Sequence, residues 1–291
     1  MINDYEIHLL ILIGIYLILA QGFNLTFGLG RLFNLAHIAV YAIGAYTTAL
    51  LSTELNQSIW VCIPASMALS SLFALLLGGI SLRLHQDYFA IGTLAFSAVV
   101  NALLINWKSL TRGVLGIPGI PRPEFWGVDF YQNSNFLWLV CALLVFVLMA
   151  SILLFNGAFA RALRAQAEDE YAASAIGKNL RSVRNDCFIV ASAFAGLAGS
   201  LFAYYINYID PSSFSLNEMV FVLSIVIVGK PGSFWGVCLA TVFLVLLPEP
   251  LRQLEIPSSY LGPMRQLLHS LILFAVLFWK RETLFPKERT V

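Results

Sequence analysis

The chain has 291 residues, 59% hydrophobic and only 11% charged, with a formal net charge of +1. A soluble domain carries about 25% charged residues, so this composition excludes an ordinary soluble domain and indicates a polytopic membrane protein of the all-α class. The four cysteines (Cys62, Cys141, Cys187, Cys238) stand apart with no CxxC pair, which gives no support to a disulfide framework or a metal site.

The N-terminal MINDYE is acidic where a secretory signal would be basic, so no cleaved signal peptide is expected. A spanning helix needs about 20 mainly apolar residues. Residues 7–27 supply the first and end in Gly28-Leu29-Gly30-Arg31. Residues 32–51 follow, with Ala36, Ala39, Ala42, Gly44 and Ala45 at spacings that let helices approach closely. Residues 59–82 and 88–105 are the next two spans, separated by the charged turn Arg83-Leu84-His85-Gln86-Asp87. The stretch 106–135 holds Pro118, Pro121, Pro123 and four glycines, which argue against a helix through it, while its aromatic residues suit a membrane interface.

Residues 136–155 span again, and then the polar insert begins. Within it, 161–186 carries five basic and four acidic residues. Each charge at the bilayer centre would cost roughly 3 kcal/mol, so the insert lies in water. It is rich in Ala, Leu, Glu and Arg and reaches Gly177 without a proline, which predicts one short helix over 162–176. Residues 187–209 span next. Residues 214–228 and 234–247 are two shorter apolar segments either side of Gly229-Lys230-Pro231-Gly232. A second proline-rich loop, 248–263, leads to the last span, 266–279, and to a charged tail, 280–291. The expected architecture is one transmembrane domain over 1–291: an all-α polytopic transmembrane helix bundle of eight or nine spans. The helix–glycine–basic–helix pattern recurs at Arg31 and Lys230, which suggests an internal repeat.

Placing the polar insert 157–186 in the cytoplasm and alternating outward puts 12 of the 17 basic residues inside. Lys108, Arg112, Arg122, Arg252 and Arg265 fall outside. The expected orientation is therefore N-terminus outside, C-terminus cytoplasmic, and loops 106–135 and 248–263 external.

The chemistry is restricted by what is missing. No phosphate-binding glycine loop, HExxH or GxSxG motif is present, so the chain is not expected to be an enzyme and no cofactor is indicated. The spans offer uncharged polarity instead: Gln21, Asn24, Thr26, Asn34, Thr93, Ser97, Asn101, Tyr204, Tyr205, Asn207 and Thr241, with His37 beside Asn34. Asn34, His37, Thr93, Ser97, Asn101, Tyr204 and Asn207 are the candidate substrate-pathway residues, although for any one of them a hydrogen bond between helices is the simpler role. Glu218 and His269 are the clearest ionisable residues in spans, and both fall near a helix end. Such scarcity of buried charge argues against a carrier coupled to an ion gradient. The driving energy must then enter through a partner, and the insert is the natural place for it to dock.

The run Glu168-Asp169-Glu170-Tyr171-Ala172-Ala173 followed by Ile176-Gly177-Lys178-Asn179 resembles the "EAA" loop of bacterial ABC importer permeases, and most closely the branched-chain amino-acid (leucine/isoleucine/valine) importer family. Asn34-Leu35-Ala36-His37, Asp87-Tyr88-Phe89-Ala90 with Thr93-Leu94, and Phe194-Ala195-Gly196-Leu197-Ala198-Gly199 are similar to further family segments. The resemblance implies a multi-pass permease of the bacterial inner membrane. It would pair with a second permease subunit as a heterodimer or homodimer, two cytoplasmic ATPase subunits, and a periplasmic or lipid-anchored solute-binding protein, in a lipid bilayer and with no nucleic acid. It implies that Glu168, Asp169, Glu170, Ala172, Ala173 and Gly177 couple the ATPases to transport. Two segments depart from the family pattern: Thr111-Arg112-Gly113-Val114-Leu115-Gly116, and Gly229 to Gly236, where Lys230 and Pro231 replace small residues. These departures bear on substrate, and urea, short amides or another small solute stand as alternative cargo beside branched-chain amino acids. A stand-alone secondary transporter is the alternative of a different class.

Overall fold

The computed structural model describes residues 3–81, 86–125, 128–175, 179–250 and 258–279. The charged turn at 83–85, part of the loop 248–263, and the tail 280–291 lie outside the described residues, as does Gly177.

Helix α1 (Asp4–Phe23) opens with a capping box between Asn3 and Glu6, which satisfies two otherwise orphaned N–H groups. It continues without a break into a single π-helical turn, Asn24–Leu29. Helix α2 (His37–Thr53) starts five residues later than the apolar run suggested. Arg31 takes a left-handed conformation (φ 50°) and the Asn34 carboxamide oxygen accepts the Ala36 N–H at 3.0 Å, so residues 31–36 form a turned connection. Helices α3 (Ile59–Ser81) and α4 (Gln86–Asn106) follow, then a short α5 (Lys108–Thr111) and the irregular loop that the prolines and glycines demanded. Helix α6 (Asn133–Asn156) leads to the insert. The insert is not one helix but two, α7 (Ala158–Glu168) and α8 (Glu170–Ala175), broken at Asp169 in an extended conformation. The break has a local cause: the Asp169 carboxylate accepts the Ala172 N–H at 3.0 Å and so caps a new helix.

Helix α9 (Leu180–Ile206) is capped by Asn179 and ends at left-handed Asn207. Helices α10 (Leu216–Val228), α11 (Phe234–Leu246) and α12 (Ser258–Trp279) complete the set. Among the described residues six helices are long and apolar enough to cross a membrane: α1 with its π-helical turn, α3, α4, α6, α9 and α12. Together with α2 and the shorter α10 and α11, this is the polytopic all-α bundle expected.

The helices alternate between two ends. At one end His8 Nδ1 lies 2.6 Å from the Tyr205 hydroxyl, and Arg112 pairs with Glu54 at 3.7 Å. The short strand β1 (Ile117–Pro118) pairs antiparallel with β4 (Tyr208–Ile209) at the same end, and β2 (Glu124–Phe125) pairs with β3 (Val128–Asp129) within the long loop. At the other end the π-helical turn meets α7 and the Gly229–Gly232 break.

Helices α1 and α9 form the centre, each with 78% of its apolar stretch buried, against 17% for α6 and none for α12. In lipid no apolar driving force separates helix from helix, so close packing of small residues must hold them. At the α2–α9 crossing a Cβ on Gly44 would lie 2.5 Å from the Gly196 Cα, and one on Gly199 would lie 2.3 Å from the Tyr41 carbonyl oxygen. Only glycine permits that approach.

Helix α10 starts part-way down the bundle. The Tyr16 hydroxyl, midway along the Asp4–Leu29 span, donates to the Glu218 carboxylate in the first turn of α10. At about 1.5 Å per residue α10 is roughly 20 Å long, too short for a hydrocarbon core of about 30 Å. The rest of that crossing is the irregular chain from Tyr208 through the 3₁₀ turn Pro211–Phe214. Phe214 wedges it in place, with ring centroids 5.2 Å from Tyr41 and 6.0 Å from both Tyr46 and Phe202. Non-helical backbone at membrane depth is tolerated where protein covers it, and discontinuous helices of this kind mark the binding regions of transporters.

The long loop is pinned by Arg122. Its guanidinium donates to the Tyr131 carbonyl at 3.0 Å, to Asn133 Oδ1 at 3.0 Å and to the Tyr205 carbonyl at 2.9 Å, and it sits over the Phe136 and Tyr205 rings at 5.4 and 5.2 Å. Burial lowers its pKa from the usual value, while the neighbouring Tyr205, Tyr131 and Asp129 work the other way. Arg122→Ala removes charge-assisted hydrogen bonds worth roughly 1.5–3 kcal/mol each to a folded loop. Limited proteolysis should then cut the stretch 112–132 at least about tenfold faster, with the helices left intact.

Candidate functional site

Two regions carry the candidate chemistry, one at each end of the bundle. The first is the insert. Helix α7 packs Ala160, Leu163 and Gln166 inward at three-residue spacing and presents Arg161, Arg164 and Glu168 outward. Glu168, Asp169, Glu170 and Ala172 are exposed, whereas Ala173 is buried at 3% exposure. Glu170 pairs with Arg184 at the start of α9, which ties α8 to the central helix. Of the six residues expected to couple, five therefore sit on one short corner, and Gly177 lies outside the described residues. The corner bears on the π-helical turn through α7.

That turn is the other half of this end. Asn24 donates to the Ser233 carbonyl at 3.3 Å and accepts the Gly232 N–H at 2.9 Å, while Gln21 donates to the Phe234 carbonyl at 3.2 Å. Gln21 and Asn24 are one turn apart and share a face. They read the backbone of the second glycine break rather than line an open path. The two breaks thus dock on each other: a Cβ on Gly28 would lie 2.3 Å from the Gly232 nitrogen. Each break turns through its basic residue at positive φ, Arg31 at 50° and Lys230 at 70°.

The seven candidate pathway residues are not gathered around one space. Asn34 shapes the turn before α2. His37 is buried, with Nε2 3.1 Å from the Leu19 carbonyl oxygen. Thr93 accepts the Leu35 N–H at 3.1 Å. These three lie at the insert end. Toward the other end Asn101 Nδ2 approaches the Pro211 carbonyl at 3.5 Å, and Asn207 Nδ2 donates to the Ile120 carbonyl at 2.7 Å. Ser97 is half-buried on α4 between them. Tyr204 borders a cavity of about 180 Å³ under the long loop. Asn34, His37, Thr93, Asn101 and Asn207 serve local turns and helix contacts, the simpler role the sequence allowed.

A larger cavity, about 380 Å³, lies elsewhere, between the first half of α1, the first turns of α10 and the facing parts of α11 and α12. Tyr16 and Glu218 meet in it, His269 joins from α12 with its ring 4.7 Å from that of Phe221, and Arg265 lines it from α12 as well. The volume falls in the roughly 300–1,000 Å³ range of small-molecule sites. Tyr16 and Arg265 were not among the candidate residues. The available signal was Glu218: Ser215-Leu216-Asn217-Glu218 has the form of a capping box, yet Glu218 is engaged by Tyr16 instead. A carboxylate just inside a short apolar segment is costly to place there, and that cost is what singles it out.

Comparison with known proteins identifies the family. The family model described as branched-chain amino acid transport system / permease component matches residues 6–279. The high-affinity branched-chain amino acid transport system permease protein LivM of Escherichia coli is 35% identical, over 94% of this chain and 68% of the relative. The probable branched-chain amino acid transport permease protein LivM of Methanocaldococcus jannaschii is 28% identical, over 77% of this chain and 68% of its own length. The permease protein LivH of Escherichia coli is 25% identical, over 67% of this chain and 68% of the relative. No solved structure matches the chain. The family model covers nearly every helix that builds the two regions above, and the chain belongs to the family of branched-chain amino acid transport permease components.

Proposed function

We propose that this chain is the transmembrane permease subunit of an ABC importer in the inner membrane, moving branched-chain or other small hydrophobic amino acids. The observation that carries the reading is the α7–Asp169–α8 corner, solvated on its acidic face and seated against the end where the two glycine breaks meet. A partner ATPase closing on that corner pushes on the π-helical turn of α1 and on the α10–α11 hinge together. π-helical turns are frequent at functional positions, and helices built around breaks can change their opening with little loss of packing. The permease breaks no bond itself; ATP hydrolysis belongs to the partners. Loops 106–135 and 248–263 face the solute-binding protein, the insert faces the cytoplasm, and a second permease subunit completes the pathway.

Proteoliposomes holding this chain with its partner permease, its two ATPase subunits and its binding protein should take up tritiated leucine only with internal ATP. Equal uptake from vesicles lacking the ATPases would overturn the reading in favour of a stand-alone carrier.

A further inference from the structure

We propose that the 380 Å³ cavity between α1, α10, α11 and α12 is a holding site for a zwitterionic aliphatic amino acid, with Glu218 facing its ammonium group and Arg265 its carboxylate. The inference rests on the importer reading above and adds where, and by which charges, the permease itself holds its cargo.

Three observations converge. First, charges of opposite sign stand on different helices around one space, Glu218 on α10 and Arg265 on α12, and among the described residues they form no ion pair with each other. Groups with pairing as their purpose would have met directly; here a space separates them. Second, Arg265 is incompletely used. Its Nε is buried and finds no hydrogen-bond partner among the described residues, and leaving a charged donor so is costly. That nitrogen is closed off from the cavity, so a carboxylate held there would engage the rest of the guanidinium, in the charge-assisted geometry this group favours. Third, Leu9, Leu12, Phe221, Leu244 and Val245 give the cavity an apolar stretch of wall, beside the polar Asn217, Ser224, Gln266 and Ser270. A branched aliphatic side chain has apolar surface to pack against there.

The depth of the site also fits. Glu218 lies in the first turn of α10 at the level of Tyr16, the middle of the α1 span, whereas Tyr5 and Glu249 are joined by a hydrogen bond at the outer rim of the same cavity. A solute released at the outer face would meet the rim first and the Glu218–Tyr16 pair last. The Tyr16 hydroxyl, donating to Glu218, holds the carboxylate toward the cavity and away from the cap of its own helix.

The test uses the assembled importer and a thiol probe. Ser270 lines the cavity, and Ser270→Cys is introduced for labelling with N-ethylmaleimide. Leucine, 3-methylbutylamine (no carboxylate) and 4-methylpentanoate (no ammonium) are compared as protectants. Leucine is expected to protect at concentrations at least about tenfold lower than either analogue, since each lacks one charge-assisted contact. Glu218→Gln should bring leucine to the level of 4-methylpentanoate, and Arg265→Gln should bring it to the level of 3-methylbutylamine, with Arg265→Lys regaining part of the difference. Equal protection by the three compounds, or none by leucine, overturns the holding site. If either glutamine variant fails to assemble, the comparison of the three protectants on Ser270→Cys alone decides. Leucine uptake by the unlabelled parent importer is measured alongside; its absence would instead overturn the importer reading.

Discussion

Gly199→Val is expected to force α2 away from α9 and to destabilise the bundle by about 3 kcal/mol, the upper part of the range for overpacked cores. The added Cβ alone would lie 2.3 Å from the Tyr41 carbonyl oxygen and 2.7 Å from the Ala45 nitrogen. These are backbone atoms of a helix, so no rotamer change relieves the clash. The neighbouring contact multiplies the problem, because Gly44 and Gly196 face each other in the same crossing with a prospective Cβ contact of 2.5 Å. A rigid helix pushed outward at one glycine also loses the packing at the next. Thermal unfolding of the purified complex should show a Tm fall on the order of 5–10 °C. Gly79→Val is the matched control, since a Cβ there meets nothing within 4 Å; its Tm should stay at the parent value. A parent-like Tm for Gly199→Val would mean that the two helices are not held at this distance.

Reversing the acidic charges of the insert should uncouple ATP hydrolysis from transport. With Glu168, Asp169 and Glu170 changed together to lysine, leucine uptake in proteoliposomes is expected to fall at least about tenfold while the ATPase subunits continue to hydrolyse ATP; close charge pairs across an interface are worth about 1.5 kcal/mol or more. The structure separates two contributions to that loss. Asp169 caps α8 and Glu170 holds Arg184, so reversing either also loosens the corner itself. Glu168, at the exposed end of α7, has neither duty. Glu168→Lys alone should therefore lower the ratio of leucine moved to ATP hydrolysed, by several fold, without altering the thermal stability of the complex. Normal coupling in the triple variant, with the complex assembled, would remove the insert from the drive mechanism.

Much of this was legible in the chain because lipid imposes its own grammar. A segment that crosses hydrocarbon must be continuously apolar and must satisfy its backbone internally, so spans, polar insert and proline-rich loop stand out one by one. The insert's exposure followed from its charges in the same way. The break at Asp169 was less visible: the run of good helix formers pointed to one helix, and a single carboxylate reaching an N–H three residues on divided it. Asn34, His37, Thr93 and Asn207 show what polarity alone leaves open. Their polarity was plain, but a polar group in a span must bond to something, and sequence does not say whether the partner is a neighbouring carbonyl or a solute. Here the partners are the Ala36 N–H, the Leu19 carbonyl, the Leu35 N–H and the Ile120 carbonyl.

By itself the sequence determined the class of protein, the number and order of its apolar segments, the solvated insert and the family, because each of these depends on runs of adjacent residues. Only the tertiary structure decided that the two glycine breaks dock through Asn24 and Gly232, that α10 begins at the depth of Tyr16, and that Glu218 and Arg265 border one cavity. Those are pairings across about 200 residues in the first two cases and across two helices in the third. They are settled by which small residues let helices touch and which polar groups remain to be satisfied once they do.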